Sequence, residues 1–486
     1  MTTTTSNFAS TTVKGTFWTY ASHYGGKFLV FISTIILARL LSQEDFGVVG
    51  FALVVISFLD VLSDLGVGPA LIYYRDDPEA ANTGFWLGLA TGLGLFGLTW
   101  VVAPFAGTFF NDPRAISITR ALGWTFPISA LGNVHNSLLH KNLAFKRKFL
   151  PDMAKMGSKG IVSIVLALLG FGPWSLVGGQ ITGAIVLVIA YWLTIPWKPA
   201  LRFTRSLVRP LLTYGFGIIS LDALAILLSN ADYLLVGRFM GAAALGVYTL
   251  AFRIPDLLIM QFCTVVGKVL FPVYAKMRED GNALRHAFLM TMRYVSMITI
   301  PIGVGLALIA EPFILTFFTD KWADAIPVMR AISIYALLYS LAYNAGSVYK
   351  AQGRPMLLTK LSFVRALILI PALWWAATTF GTIAAVGWTH SVVAFIGGML
   401  NLIVAGRIIN TPFKEIATTL RSAMVAGFVM ALAVWGVLWL LDDASPLVQL
   451  IITVLTGGLV YGAVLLLLEQ ELRQHLQTAR HKLARR

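Results

Sequence analysis

The chain of 486 residues has little charge, since Asp, Glu, Lys and Arg together make up only 12% of it. A soluble domain carries about 25% charged residues. Hydrophobic residues make up 57%, and the mean hydropathy is +0.78. These values exclude a set of soluble domains and indicate an all-α polytopic membrane protein.

Cysteine and the common catalytic motifs are also scarce. The single cysteine, Cys263, excludes an internal disulfide and a cysteine-based metal site. The seven histidines are scattered, and neither a Walker A sequence nor H-E-x-x-H occurs. GLGLFG (92–97) fits G-x-G-x-x-G, but it lies inside an apolar run, where small residues indicate helix contacts. We therefore expect no catalytic residue, no metal and no cofactor, and the chain is not predicted to be an enzyme.

The apolar runs predict fourteen transmembrane helices joined by short loops, with no soluble domain on either side. The predicted spans are 16–41, 46–64, 83–107, 115–139, 158–173, 175–196, 211–236, 245–267, 286–310, 326–349, 357–378, 383–406, 422–441 and 447–468.

Lys and Arg are distributed unevenly between the loops. If the N-terminus is cytoplasmic, the inner segments hold 27 of them, and the outer loops hold Arg39, Arg114, Arg238 and Lys321. Positive residues concentrate in cytoplasmic loops. Both termini are therefore predicted to be cytoplasmic. The net charge of +15 is attributed to these loops and not to a nucleic-acid partner.

Two motifs occur twice, in the same order. ARLLSQEDFGVVGFA (38–52) aligns with GRFMGAAALGVYTLA (237–251), and APFAGTFFND (103–112) aligns with EPFILTFFTD (311–320). The offsets equal six predicted helices, so the copies share one orientation, as in transporters with parallel repeats. The repeat predicts an N-lobe (1–196), a basic cytoplasmic connector (197–210) and a C-lobe (211–406). Helices 13 and 14 and a basic tail (407–486) fall outside it.

The first outer hairpin carries recognisable local signals. Ser42 and Asp45 are predicted to cap the helix that follows. Gly47 and its repeat partner Gly246 are predicted to allow close helix packing.

Ionisable residues inside the spans are the candidate functional residues, because a charge at mid-membrane costs about 2.5–3.5 kcal/mol or more. The basic candidates for substrate binding are Lys27, Arg253, Arg293 and Arg365, with His23 on the helix face of Lys27. The possible ion-coupling residues or charge partners are Asp60, Asp222, Asp232 and Asp256.

Structural alternatives remain for several of these residues. Lys27 is a candidate ion-pair partner of Asp60, and Arg253 is one of Asp256, with a kink expected at the intervening Pro255. A second open question concerns a tyrosine stripe at i, i+4 and i+8, which fits either sugar stacking or packing; it consists of Tyr335, Tyr339 and Tyr343.

Several runs resemble the Wzx-type polysaccharide flippases. IILARLLSQEDFGVVGFALVVISFLDVLSDLGVGPALI (35–72) is similar to the start of that family. Three further runs are similar to its colanic-acid-exporter-like branch: LLHKNLAFKRK (138–148), VLALLGFGPWSLVGGQ (165–180) and ADYLLVGRFMGAAALGVYTLAFR (231–253). The resemblance covers about residues 14–405. The family belongs to the MOP superfamily, which includes the MATE drug antiporters and the lipid II flippases.

The resemblance implies two six-helix lobes in a V, with a central cavity that opens alternately to each side. The implied activity moves an undecaprenyl-pyrophosphate-linked oligosaccharide from the cytoplasmic to the outer leaflet of the bacterial inner membrane. Exopolysaccharide, capsule or O-antigen would be the product. Membrane lipids and the polysaccharide polymerase and export machinery are the implied partners.

Two other functions remain open on the residues alone. A MATE-like, cation-coupled antiporter of small molecules would need a lumen of negative charge, which the four aspartates supply. A non-transporting scaffold of a polysaccharide assembly complex would not need Lys or Arg at mid-membrane. The basic candidates favour a transporter for an anionic substrate.

Overall fold

The computed structural model describes residues 25–63, 78–142, 144–469 and 473, and it leaves undescribed the side chains of residues 78, 145 and 210–223. The described residues contain helices and no strand. The α-helices are 25–40, Gln43–Asp60, Pro78–Phe110, Arg114–Gly123, Thr125–Lys141, Phe145–Leu168, Trp174–Thr194, Arg205–Pro255, Gln261–Lys276, Gly281–Leu308, Ala310–Phe317, Ala325–Tyr343, Ala345–Ala351, Pro355–Thr379, Ile383–Ile408, Phe413–Leu440 and Pro446–Leu468.

The all-α membrane class predicted from composition is confirmed. Within the described part of the chain, nine helices are long and apolar enough to cross a membrane. One of these stretches, Leu224–Lys276, includes the eighth predicted span and part of the seventh, and it is interrupted at Gly241 by a left-handed φ of 83°. The count of fourteen spans stays a prediction.

The chain divides into two compact units, which meet in sequence between Thr249 and Leu250. This division differs from the predicted connector at 197–210, since the first unit continues through the seventh predicted span. The lobe boundaries stay predictions.

In the first unit the first outer hairpin has the predicted cap. The Ser42 hydroxyl accepts a hydrogen bond from the Asp45 amide at 3.1 Å, and the Asp45 carboxylate accepts one from the Ser42 amide at 2.9 Å. This capping box satisfies two amides at the start of the helix Gln43–Asp60.

The two repeat-related glycines lie at one close helix crossing in the first unit. A Cβ at Gly47 would stand 1.7 Å from the Ala242 carbonyl oxygen, and a Cβ at Gly246 would stand 2.0 Å from the Gln43 carbonyl oxygen. No larger residue fits either position without separating the helices, so the predicted close packing is confirmed.

The second repeated motif has the same backbone feature in both copies. The aligned residues Asn111 and Thr319 both have positive φ, 54° and 73°, directly after the Phe-Phe pair. In the first copy, Arg238 donates hydrogen bonds to the Phe109 carbonyl oxygen at 2.6 Å and to the Asn111 side chain at 3.0 Å. A cation bound to the last carbonyls of a helix is favourable because it meets the negative end of the helix dipole.

In the second unit the two helices outside the repeat are attached to the helix Gly281–Leu308. Arg293 forms an ion pair with Glu469, which directly follows the last described helix. The Tyr461 hydroxyl donates to the Met297 carbonyl oxygen at 2.9 Å. Apolar contacts around Met430 and Val434 complete this attachment.

Candidate functional site

The second unit contains a cavity of about 690 Å³ between its helices. It is formed by helices that belong to four of the predicted spans. These helices are Gln261–Lys276, Ala325–Tyr343 with its continuation Ala345–Ala351, Pro355–Thr379 and Ile383–Ile408. Volumes in this range accommodate small ligands or part of a larger one.

Three of the helices line the cavity with residues spaced i, i+3, i+4 and i+7, which is one face of a helix. The three sets are Thr264, Gly267, Lys268 and Phe271; Leu358, Leu361, Ser362 and Arg365; and Ala394, Gly397, Gly398 and Asn401. Several of these positions are glycine, alanine or serine, and their small side chains leave the space open.

Among the described residues, the charged ones that line the cavity are Lys268, Lys350 and Arg365, and none of the lining residues is a carboxylate. Lys268 and Lys350 are exposed, whereas Arg365 is half-buried, about three turns into its helix. A described lining whose charged residues are all basic favours an anion, because a negative group on a ligand is attracted by each of them.

Arg365 is held in place by two tyrosines. Its guanidinium donates to the Tyr335 hydroxyl at 3.1 Å and lies 5.9 Å from the centre of the Tyr339 ring. A cation above an aromatic face is attracted by the ring quadrupole. The Arg365 side chain is therefore oriented before any ligand arrives.

One tyrosine of the stripe packs inside the helix bundle, and the other two line the cavity. Tyr335 is buried and contacts Arg365, whereas Tyr339 and Tyr343 line the cavity with ring centres 5.5 Å apart. Ser347, Ser362 and Asn401 add hydroxyl and amide groups. Aromatic faces beside hydrogen-bonding groups suit a sugar, which has apolar ring faces and a rim of hydroxyls.

Of the sequence-predicted basic residues, Arg365 lies in this cavity, and Arg253 and Arg293 do not line it. Arg293 is engaged by Glu469, an arrangement that fits a structural role. The side chain of Asp256 accepts hydrogen bonds from the Gln261 amide at 3.1 and 3.3 Å and forms no ion pair with Arg253. The disturbance expected at Pro255 is present as a π-helical turn, Asp256–Met260.

The remaining candidates belong to the first unit. Lys27 is half-buried on the helix 25–40, Asp60 is exposed, and no ion pair joins them among the described residues. Asp232 is buried and accepts a hydrogen bond from the Tyr248 hydroxyl at 2.8 Å. His23 lies outside the described residues, and the side chain of Asp222 is not described.

Sequence reasoning missed Lys268 and Lys350, which it counted only as cytoplasmic charges. A signal was present, since Lys350 follows Tyr339 and Tyr343 at helical spacing and Lys268 follows Thr264 by one turn. For metal ions, the described residues contain no cluster of three His, Cys, Asp or Glu side chains.

Known proteins resemble the whole chain. The succinoglycan biosynthesis transport protein ExoT of Rhizobium meliloti is 27% identical over 473 residues, which cover 96% of this chain and 95% of ExoT. The lipopolysaccharide biosynthesis protein WzxC of Escherichia coli is 25% identical over 70% of each chain. These matches confirm the resemblance to polysaccharide flippases.

The fold also has solved counterparts. The lipid II flippase MurJ, in an inward closed conformation, has a TM-score of 0.76, with 93% of this chain and 99% of MurJ covered at 17% identity. A family model described as polysaccharide biosynthesis protein matches residues 36–327, more than half of the sequence. The chain belongs to this family of polysaccharide biosynthesis proteins.

Proposed function

We propose that the protein is an alternating-access flippase that carries a lipid-linked oligosaccharide across the membrane for surface polysaccharide synthesis. The main support is the cavity, whose described lining contains three cations and two tyrosines and no carboxylate. A pyrophosphate link or an acidic sugar fits the cations, and neutral sugar rings fit the tyrosines and amides. The names of the relatives, a transport protein and a lipopolysaccharide biosynthesis protein, support the same activity.

The carrier in this proposal is undecaprenyl pyrophosphate, and transport runs from the cytoplasmic to the outer leaflet of the bacterial inner membrane. Lys268 and Lys350 lie at the cavity end that the charge distribution assigns to the cytoplasm, and Arg365 lies deeper. A head group entering from the cytoplasm would therefore meet Lys268 and Lys350 first and Arg365 last. No bond is made or broken, so the residues hold and release the ligand and do not act as catalysts.

Arg365 carries the most specific part of the proposal. Arg365→Gln removes the charge and leaves a shorter side chain with an amide, so we expect a loss of transport of about tenfold or more. Arg354→Gln is the matched control, because Arg354 is exposed and does not line the cavity. The readout is the lipid-linked oligosaccharide that accumulates in cells, measured by mass spectrometry, together with surface polysaccharide and protein level.

Filling the cavity tests the site independently of charge. A Cβ at Gly397 would meet no atom within 4 Å, so Gly397→Leu starts from open space and adds bulk to the cavity. Gly458 has the same open surroundings on a helix outside the repeat, and Gly458→Leu is the control. Normal transport by both Arg365→Gln and Gly397→Leu would contradict this site.

The cation antiporter is less well supported. An antiporter of this kind would need carboxylates in its cavity, and the charged lining residues that the structure describes are all basic.

A further inference from the structure

The basic connector, 197–210, is fixed to the first unit by hydrogen bonds. Trp86 Nε1 donates to the Ala200 carbonyl oxygen at 2.9 Å, and the Ala200 amide donates to the Asn82 side chain at 2.9 Å. Further along, the Thr204 hydroxyl donates to Glu79 at 2.7 Å. The connector is thus held at two residues, four positions apart.

Aromatic packing fixes the start of the connector as well. The Trp197 carbonyl oxygen lies 3.2 Å from His135 Nε2. The Trp197 ring packs edge-on against the rings of His135 and Phe85, with ring centres 5.3 and 6.1 Å apart. A segment held by this many contacts has a defined outward surface, unlike a free linker.

The outward surface combines large apolar and basic side chains. Leu201 is 91% exposed and Phe203 is 53% exposed, with the exposed Arg202 between them. The other exposed basic side chains of the connector are Lys198, Arg205 and Arg209. Residues 197–210 contain no Asp or Glu, and none of the four basic residues forms an ion pair within the described part of the chain.

The connector also follows directly from a helix that can span the membrane. That helix, Trp174–Thr194, ends with Leu193 83% exposed. The apolar and basic surface therefore begins where a membrane helix reaches the bilayer boundary. At such a boundary, apolar side chains enter the acyl region while Lys and Arg contact the head groups.

We propose that the connector is a binding site for anionic phospholipid head groups of the bilayer face on which it lies. Leu201 and Phe203 insert between lipids, and Lys198, Arg202, Arg205 and Arg209 hold phosphate groups. An acidic soluble protein would explain the charges but not two large apolar side chains beside a membrane helix. The connector joins the predicted lobes in sequence, and it shares no residue with the lining of the proposed substrate cavity.

The experiment uses the full chain in lipid nanodiscs. In a Cys263→Ala background, Ser206→Cys places a fluorophore at an exposed position next to the apolar and basic side chains. Quenching by doxyl-labelled phosphatidylglycerol is compared with quenching by doxyl-labelled phosphatidylcholine at equal mole fraction. We expect phosphatidylglycerol to quench more strongly, and added salt to reduce the difference.

Variants assign the preference to the connector. Arg202→Gln should lower the enrichment of phosphatidylglycerol by up to about fivefold, the effect of one cation close to an anionic surface. The double variant Arg202→Gln/Arg205→Gln should bring it close to that of phosphatidylcholine. Arg407→Gln/Lys414→Gln, which removes two exposed cations from the ends of two helices elsewhere in the chain, should leave it unchanged.

Leu201→Ser/Phe203→Ser should reduce quenching by both labelled lipids. If the two lipids quench equally in the protein with the unsubstituted connector, that result alone would overturn the proposal. A preference that survives Arg202→Gln/Arg205→Gln would also overturn it.

Discussion

Arg293 and Arg365 carry the same charge in the same unit, but their surroundings assign them different roles. Arg365 is oriented by tyrosines and faces a cavity. Arg293 is paired with the buried carboxylate of Glu469. Removing one partner of a buried pair leaves the other charge uncompensated, which costs more than the pair itself contributes.

We therefore predict that Arg293→Ala lowers the free energy of unfolding by roughly 3 kcal/mol. Glu469→Ala should do the same, and Arg293→Ala/Glu469→Ala should recover part of the loss. Thermal unfolding of the purified protein measures this, and transport per folded molecule should stay near normal. Loss of transport without loss of stability would instead return Arg293 to the substrate-binding residues.

Asp112 and Arg114, which lie outside the predicted spans, should make the stability of the protein depend on pH. Burial disfavours the charged Asp112 carboxylate, but hydrogen bonds and charge from Arg114 outweigh it, so the pKa of Asp112 lies below its ordinary 3.8. Stability from this pair is present above the unfolded pKa and is lost as pH falls through the lower, folded pKa. The melting temperatures of the protein and of Asp112→Asn should differ near neutral pH and converge below about pH 4. A constant difference would contradict this assignment.

The sequence predicts the site only in part, and distance along the chain explains why. Arg365 was found because a cation inside a span stands out. Lys268 and Lys350 lie at the ends of spans, where positive residues are expected on the cytoplasmic side, so they did not stand out as candidates for substrate binding. The partner of Arg293 is 176 residues away, and only tertiary packing brings the two together.

At the scale of elements, the crossing at Gly47 determines how closely the two outer hairpins approach. Gly47→Ala would place a Cβ 1.7 Å from a backbone oxygen, so the helices must separate. Overpacking of this kind costs about 1–3 kcal/mol. Gly88→Ala is the control, because a Cβ at Gly88 meets nothing within 4 Å.

Cross-linking measures this separation. With Cys263→Ala, cysteines at Gln43 and Ala242 should form a cross-link in high yield, and the cross-link should stop transport reversibly if the hairpins must part during alternating access. Adding Gly47→Ala should lower the yield, whereas Gly88→Ala should not. Full transport by the cross-linked protein would contradict alternating access at these hairpins.

Local signals predicted the elements better than they predicted the site. The capping box at Ser42 and the glycine contact follow from residue chemistry and spacing. The break at Gly241 and the short helices at Ala310–Phe317 and Ala345–Ala351 were not predicted, because hydropathy averages over about 20 residues and hides a single interrupted turn.

At the scale of the whole molecule, the charge bias predicts the orientation. A cysteine at Lys146 in a Cys263→Ala background should react with an impermeant thiol reagent only in inverted vesicles. A cysteine at Asp443 should react from outside intact spheroplasts. The reverse pattern would overturn the cytoplasmic placement of both termini and the proposed direction of transport.

The glycine crossing also limits how this protein can change over generations. The obstacle that a side chain at Gly47 would meet is the peptide backbone at Ala242, and every amino acid has that backbone. A lineage that loses Gly47 cannot be rescued by a complementary residue at position 242. Revertants selected for restored polysaccharide should therefore recover glycine itself or carry substitutions that shift a whole helix.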